Sequence, residues 1–146
     1  MSHQIRRVGP QDVIDLRHQV LRAGLPRQTA IFPGDDHPDA RHYGAWIDGN
    51  LIGCVTLHPS QWEGQPAWQL RGMAVAPGHQ SAGIGTDMIR FLESDLSDSP
   101  VQQLWCNARV PAAGFYEKLG WKIVSEIFEV PTAGPHVKMI KTLPSP

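Results

Sequence analysis

The chain has 146 residues, of which 41% are apolar and 18% are charged, and its formal net charge is −1. This length is enough for one domain with a buried core but not for two of ordinary size, so we predict a single domain over residues 1–146. A near-neutral charge gives no electrostatic footprint for nucleic acid, and no apolar stretch approaches the ~18 residues of a membrane helix. Neither nucleic acid nor a membrane is therefore expected as a partner.

The cysteines and the N-terminus bear on the cellular compartment. Cys54 and Cys106 each lie within an apolar run, with no CxxC motif and no regular pattern of spacings. The first residues, MSHQIRRVGPQD, lack the apolar core of a signal peptide. We therefore expect two reduced, buried thiols in a cytoplasmic protein.

The N-terminal part is predicted to form a strand over residues 4–8 and then a helix that begins at Pro10 and ends before Gly24. The apolar face of this helix consists of Val13, Leu16, Val20 and Leu21. Residues 26–40 contain three prolines, one glycine and three aspartates, a composition that fits no regular element. A loop of this length is either a lid on the substrate side or an ordinary solvated loop.

A meander of strands follows. Residues 41–47 and 51–57 are strand-like, and Asp48-Gly49-Asn50 between them is a strong hairpin signal because these residues tolerate positive φ. A polar segment after His58-Pro59 leads to the next strand, residues 68–75. We therefore predict three sequential antiparallel strands.

The stretch from Trp68 to Leu96 changes its hydrophobic period halfway, from a short apolar strand to helical spacing that begins at Ile84. Gly83 and Gly85 lie at the change, where the absence of Cβ atoms would let a ligand approach the main chain. The first N–H groups of a helix favour an anion such as phosphate. We call residues 76–85 the glycine loop. Its spacing fits neither a P-loop nor a dinucleotide-binding fingerprint.

The C-terminal half continues with a strand over residues 101–108, a helix from Pro111 to Gly120, and strands over residues 121–130 and 136–143. The whole order is strand, helix, three strands, helix, strand, helix and two strands. It predicts an α/β domain with a central mixed β-sheet and helices on both faces.

Two motifs in this framework resemble the GNAT N-acetyltransferase superfamily. Gln80-Ser81-Ala82-Gly83-Ile84-Gly85 behind a strand is similar to its acyl-CoA signature, and Phe115-Tyr116-Glu117-Lys118-Leu119-Gly120-Trp121 is similar to its FYEKLGF helix end. The order of elements also matches the GNAT fold. The resemblance implies an acetyl-CoA-dependent N-acetyltransferase, similar to small bacterial-type members of unassigned substrate, in which acetyl-CoA is the co-substrate and no metal is needed.

The resemblance also implies a set of cofactor-binding residues. The diphosphate of CoA would lie against main-chain N–H groups of the glycine loop, and the pantetheine arm would pair with the preceding strand, where Gly72 would suit a bulge. An amide at Asn107 would bond pantetheine or the substrate, unless this Asn only starts a turn. The implied residues are Met73, Ala74, Val75, Gln80, Ser81, Ala82, Gly83, Ile84, Gly85, Thr86 and Asn107.

For catalysis, the resemblance gives Tyr116 the role of general acid toward the departing sulfur. Many family members carry a Glu on the strand before the signature, where this chain has Gln69 and Arg71. The preferred base is therefore His136, because an imidazole accepts a proton near neutral pH. Other bases also remain open, namely His42, His58, Glu63 and a water relay.

The acceptor is expected to be a small-molecule or peptide amine. If Arg71 and Arg109 face the cleft, they would favour an acceptor with a carboxylate or phosphate. The alternatives are transfer to a hydroxyl and a module that senses acyl-CoA without turnover. The sequence does not decide between a homodimer and a monomer. Cys106 lacks a matching His motif for a nucleophile, and the histidine spacings do not predict a metal site.

Overall fold

The computed structural model describes residues 3–144, which form eight strands and three α-helices. The elements in chain order are β1 Gln4–Val8, α1 Ile14–Leu21, β2 Arg41–Ile47, β3 Asn50–Trp62, β4 Gln65–Val75, α2 Ile84–Asp95, β5 Gln103–Arg109, α3 Ala113–Lys118, β6 Lys122–Ile123, β7 Phe128–Val130 and β8 Gly134–Thr142. The strands bond in the order β1-β2-β3-β4-β5-β8-β6, and β7 also pairs with β8. The β4–β5 pair is parallel and the pairs β1–β2, β2–β3 and β5–β8 are antiparallel, which confirms the predicted mixed sheet.

The chain divides into two compact units. Unit 1 comprises residues 1–58 and 71–96, and unit 2 comprises residues 59–70 and 97–146. Strands β3 and β4 each contribute residues to both units. The prediction of one domain over the whole chain stays a prediction.

In unit 1, helices pack on opposite faces of β3. Arg17 of α1 bonds to Thr56, while Ile84 and Met88 of α2 lie so close to Gly53 that a Cβ there would be 3.0–3.1 Å from them. Because side chains alternate along a strand, Thr56 and Gly53 point to opposite faces. The predicted placement of helices on both faces of the sheet is thus confirmed here. On the α1 face the core includes Val13, Ile14, Leu16, Ala30, Cys54 and Ala74.

In unit 2, β5 and β8 form a continuous antiparallel ladder, from Gln103 opposite Thr142 to Arg109 opposite His136. Buried residues alternate along both strands and build the core of this unit. They include Leu104, Cys106, Ala108, Val137 and Met139.

Several predicted boundaries were wrong. The polar segment after His58 is paired strand, because β3 and β4 continue to a tight turn at Glu63 and Gly64, both with positive φ. The predicted single strand over residues 121–130 is two short strands, β6 and β7, which pair with different ends of β8. Residues 26–40 include a 3₁₀ turn at Arg27–Ala30, and two further 3₁₀ turns precede α1 and α3. The extension of β3 and β4 was missed because polar residues next to a turn resemble a loop, and the division into β6 and β7 was missed because both strands are defined by their pairing with β8.

Candidate active site

The glycine loop of unit 1 joins β4 to α2 in an open conformation. Gly83 precedes α2 with a φ of 81°, in the left-handed region where a side chain is strained. No side chain caps this end of α2, and a Cβ built on Gly83 would meet no heavy atom within 4 Å. The side chain of Gln80 folds back and donates from Nε2 to the carbonyl of Val75 over 3.1 Å. The loop therefore presents main-chain N–H groups to open space, as an anion-binding loop requires.

The strand before the loop has an irregular main chain. Gly72 has a φ of 67°, and a Cβ there would be 2.8 Å from Nε of Arg17, so only glycine fits. The ladder between β4 and β5 covers Trp68–Leu70 and does not extend to Met73, Ala74 or Val75. Among the described residues, the three predicted cofactor-binding residues are therefore not paired with β5, and this edge of β4 could pair with an extended ligand.

Tyr116 is a buried residue of α3 in unit 2. Its ring packs against Phe115 and Trp121, with centroids 5.0 and 5.4 Å apart. Burial raises the pKa of Tyr116 well above its ordinary value, and the nearby Cys106 adds to the shift. The hydroxyl has no hydrogen-bond partner among residues 3–144, but its oxygen is not fully enclosed by the protein. The hydroxyl of Tyr116 is thus protonated and remains partly accessible as a hydrogen-bond donor.

Three other predicted residues lie close together on β5 and β8. Asn107 pairs opposite Lys138, whose Nζ donates to Oδ1 of Asn107 over 3.0 Å, and Arg109 pairs opposite His136. Nδ1 of His136 lies 2.8 Å from the carbonyl oxygen of Gly134. Because a carbonyl only accepts, Nδ1 carries the proton in that bond and Nε2 of a neutral ring has a free lone pair.

Arg71 lies in unit 1, so the prediction that it flanks a cleft with Arg109 stays a prediction. Its half-buried guanidinium is 4.5 Å from the ring centroid of Phe32, which Arg17 and Arg22 also approach, at 4.1 and 5.3 Å. Burial and the charges of Arg17 and Arg22 lower the pKa of Arg71. Within the described part of the chain, no carboxylate lies within 4.0 Å of Arg71.

Sequence reasoning named His42 and His58 as candidate bases but missed the buried hydrogen bonds that join them to Arg17, Asp35 and Thr56. We call Arg17, Asp35, His42, Thr56 and His58 the buried network, because each of them is at most 6% exposed. Arg17 donates to both carboxylate oxygens of Asp35, over 2.6 and 3.1 Å, and His58 lies 2.8 Å from Oδ1. The position of Arg17, four residues after Val13 on the buried helix face, was the available signal.

The charge state of the buried network follows from these contacts. Burial alone would raise the pKa of Asp35, but hydrogen bonds from His58, Arg17 and the Phe32 N–H outweigh it and hold that pKa well below its usual range. Burial lowers the pKa of His42. Asp35 is therefore an ionised carboxylate, and His42 is neutral.

Other chemistries find less support in the geometry. Cys106 is a free, buried thiol, and burial raises its pKa to about 12, so it is not a ready nucleophile. Among residues 3–144, no three His, Cys, Asp or Glu side chains cluster so as to hold a metal ion. Likewise, no helix of the described chain combines the length and the apolar character needed to cross a membrane.

Comparisons with known proteins agree with this geometry. Residues 12–121 match the sequence profile of the acetyltransferase (GNAT) family. The chain is 34% identical over 146 residues to the uncharacterized N-acetyltransferase YitI of Bacillus subtilis (strain 168), with 96% of each chain covered. It is also 32% identical over 73 residues to the uncharacterized N-acetyltransferase YjcF of the same organism, which is 50% of this chain and 52% of that one.

Solved structures share the fold at lower identity. An aminoglycoside 6'-N-acetyltransferase complexed with coenzyme A superposes with a TM-score of 0.77 at 18% identity, over 98% of this chain and 99% of that one. Escherichia coli ElaA superposes with a TM-score of 0.80 at 19% identity, over 96% and 99% of the two chains.

Proposed function

The chain belongs to the acetyltransferase (GNAT) family and is an acetyl-CoA-dependent acyltransferase, and from this premise we propose that it transfers the acetyl group to a primary amine by direct attack. The observation that carries the proposal is the open glycine loop with Gly83 at the start of α2. The diphosphate of CoA binds the main-chain N–H groups of residues 80–86, and the pantetheine arm pairs with Met73 to Val75. The amide of Asn107 contributes a further hydrogen bond.

Tyr116 acts as the general acid toward the sulfur of the departing CoA thiolate. As the amine nitrogen bonds to the carbonyl carbon, the C–S bond breaks and its electron pair stays on sulfur. The hydroxyl of Tyr116 donates a hydrogen bond to the thiolate and gives its proton to sulfur as it takes up the proton released by the attacking nitrogen. Because the pKa of Tyr116 is raised, no phenolate accumulates in this relay. Positioning supplies most of the remaining rate, because the two reactants are held together.

A base is also needed, because an alkylamine with a pKa near ~10 is protonated at neutral pH and has no lone pair for attack. Of the histidines named as candidate bases from the sequence, His136 in unit 2 and His58 in unit 1 each have a ring nitrogen that is not engaged, whereas both ring nitrogens of His42 are bonded. The sequence favours His136 through its place at the start of the last strand.

The acceptor is proposed to carry an anionic group. Arg71 is a half-buried cation next to two other guanidinium groups, and no carboxylate within the described residues pairs with it. A carboxylate or phosphate on the acceptor would supply the missing counter-charge through charge-assisted hydrogen bonds. Arg109, which is exposed, is a second contact of the same kind.

The test is release of CoA thiol from acetyl-CoA in the presence of kanamycin, spermidine, L-lysine and L-glutamate. We expect turnover with at least one of these amines, and a Tyr116→Phe variant should lower kcat by about 100-fold or more with acetyl-CoA affinity unchanged. A sensor without catalytic activity would bind acetyl-CoA tightly and release no thiol in either protein. Thiol release that yields an ester instead of an amide would favour a hydroxyl acceptor.

A further inference from the structure

The hydrogen-bond pattern at Asp35 fixes which ring nitrogen of His58 carries the proton when the ring is neutral. Oδ2 of Asp35 accepts from Nη1 of Arg17 and from the main-chain N–H of Phe32, and Oδ1 accepts from Nη2 of Arg17. An ionised carboxylate can only accept, so Nε2 of His58, 2.8 Å from Oδ1, must be a donor. A neutral His58 therefore has its proton on Nε2 and its lone pair on Nδ1.

Both ring nitrogens of His42 are engaged within the buried network. Nη2 of Arg17 donates to the hydroxyl oxygen of Thr56 over 2.7 Å, and that hydroxyl lies 2.8 Å from Nδ1 of His42. Nε2 of His42 lies 2.8 Å from the carbonyl oxygen of Asp35, so it carries the ring proton of a neutral His42. Thr56 must then donate to Nδ1 of His42, and no lone pair of His42 remains for other work.

Nδ1 of His58 is the one ring nitrogen of the buried network that keeps an unused lone pair. This nitrogen has no hydrogen-bond partner among residues 3–144. It is not fully buried, so it retains some solvent access. Given the acetyl transfer proposed above, on which this step rests, we propose that His58 is the general base that takes a proton from the acceptor amine. Asp35 is its positioning residue.

The proton and electron balance is complete. Nδ1 of His58 removes one proton from the R–NH₃⁺ acceptor, and the freed lone pair forms the C–N bond at the thioester carbonyl. The C–S bond breaks with its pair on sulfur, and the second proton lost by nitrogen reaches sulfur through Tyr116. The His58 imidazolium then returns its proton to water, so the products are the amide, CoA thiol and one H⁺.

His58 is better suited to this role than His136. A base becomes an imidazolium in the transition state, and the carboxylate of Asp35 stabilises that charge while it holds the ring in one orientation. Nδ1 of His136 faces only the carbonyl of Gly134, and within the described chain no carboxylate lies within 4.0 Å of that ring. The charged groups in and beside the buried network are the paired Asp35 and Arg17, together with Arg22 and Arg71 next to Phe32, and His42 is neutral. Asp35 is the carboxylate that offsets the charge of an imidazolium at His58.

The experiment measures kcat/KM against pH for the best amine of the four above, in the wild type and in His58→Gln. Glutamine keeps an N–H that can donate to Asp35 and removes the basic nitrogen. We expect His58→Gln to lose at least about 100-fold in kcat/KM at neutral pH and to lose the acidic limb of the profile. Calorimetry should show acetyl-CoA affinity within twofold of the wild type, which establishes that the variant is folded.

Two further variants complete the design. His37→Gln alters an exposed histidine on the same loop as Asp35 and should match the wild type. His136→Gln tests the rival base. If His136→Gln loses the acidic limb and His58→Gln keeps it, or if His58→Gln retains wild-type kcat/KM, the role of His58 is overturned while the transfer reaction stands. If the wild type binds acetyl-CoA but releases no thiol with any amine, the proposed function fails and the base fails with it.

Discussion

The glycine loop and the buried network lie in the same compact unit and are built by opposite means. The loop offers main-chain N–H groups at the start of α2, with open space beside Gly83. The buried network consists of side chains that are nearly sealed from solvent and bond to one another around Asp35. The glycine loop is mostly exposed and consists of consecutive residues. The buried network is enclosed, and its five residues lie at separate positions between 17 and 58 in the sequence.

This difference predicts how each region responds to substitution. Apart from Ala76 and Ile84, which pack in the core, the loop is half-buried or exposed, so a change at Gly83 should affect ligand binding more than folding. In the buried network, removing one charge leaves its partner uncompensated away from water, which strongly destabilises a fold. The predictions below separate these two responses.

The largest effect is expected for Asp35→Asn, which removes the carboxylate opposite the fully buried Arg17. We expect the free energy of unfolding, measured by urea denaturation, to fall by about 3–5 kcal/mol.

Asp15→Asn is the matched control, because Asp15 pairs with Arg27 at 2.9 Å but the two side chains are 88% and 55% exposed. A surface pair of this kind contributes at most about 1 kcal/mol. Equal losses in the two variants would mean that the buried network does not support unit 1.

The same contrast explains what the sequence could predict. The loop was recognisable because its glycines, the preceding strand and the following helix lie next to one another in the chain. The order of helices and strands along the chain also followed, because periodicity and turn residues are local signals. The extension of β3 and β4 to their turn was missed because His58-Pro59 and the polar residues after it resemble a break, although strand pairing satisfies their main chain.

The buried network could not be predicted in the same way. Asp35 is one of three aspartates in a loop without regular structure, and nothing in the sequence distinguishes it from Asp36 or Asp39. Its role depends on tertiary packing that brings α1, β2 and β3 around it. The burial of Arg17 was not predicted for a related reason. A charged residue in a helix is expected to be exposed unless a buried partner is known.

An intermediate effect is expected at Arg71, which lies at the edge of the buried network. Arg71→Gln should raise KM about tenfold for an acceptor with a carboxylate, because one charge-assisted contact is lost. The KM of a matching acceptor without the carboxylate and the Kd of acetyl-CoA should stay unchanged. Equal KM changes for both acceptors would argue against an anion contact at this residue.

A smaller effect concerns the pH dependence of stability. The pKa of Asp35 is depressed in the folded protein, so the native carboxylate stays ionised where the unfolded chain, with an Asp pKa of about 3.9, takes up a proton. Its stabilisation is full above about pH 5 and is lost as pH falls below about 4. Between pH 5 and 3 the wild type should lose about 1 kcal/mol more than Asp35→Asn in urea denaturation. Parallel curves would contradict the depressed pKa.

The most direct test of the account is calorimetric titration of acetyl-CoA into the wild type, Gly83→Ala and Gly49→Ala. The two glycines have φ values of 81° and 79°, and a Cβ on either meets no atom within 4 Å, so the two changes impose comparable strain. We predict that the wild type and Gly49→Ala bind with the same Kd and that Gly83→Ala binds at least about tenfold more weakly. No affinity in the wild type, or the same Kd in all three proteins, would contradict the claim that the glycine loop binds the CoA diphosphate.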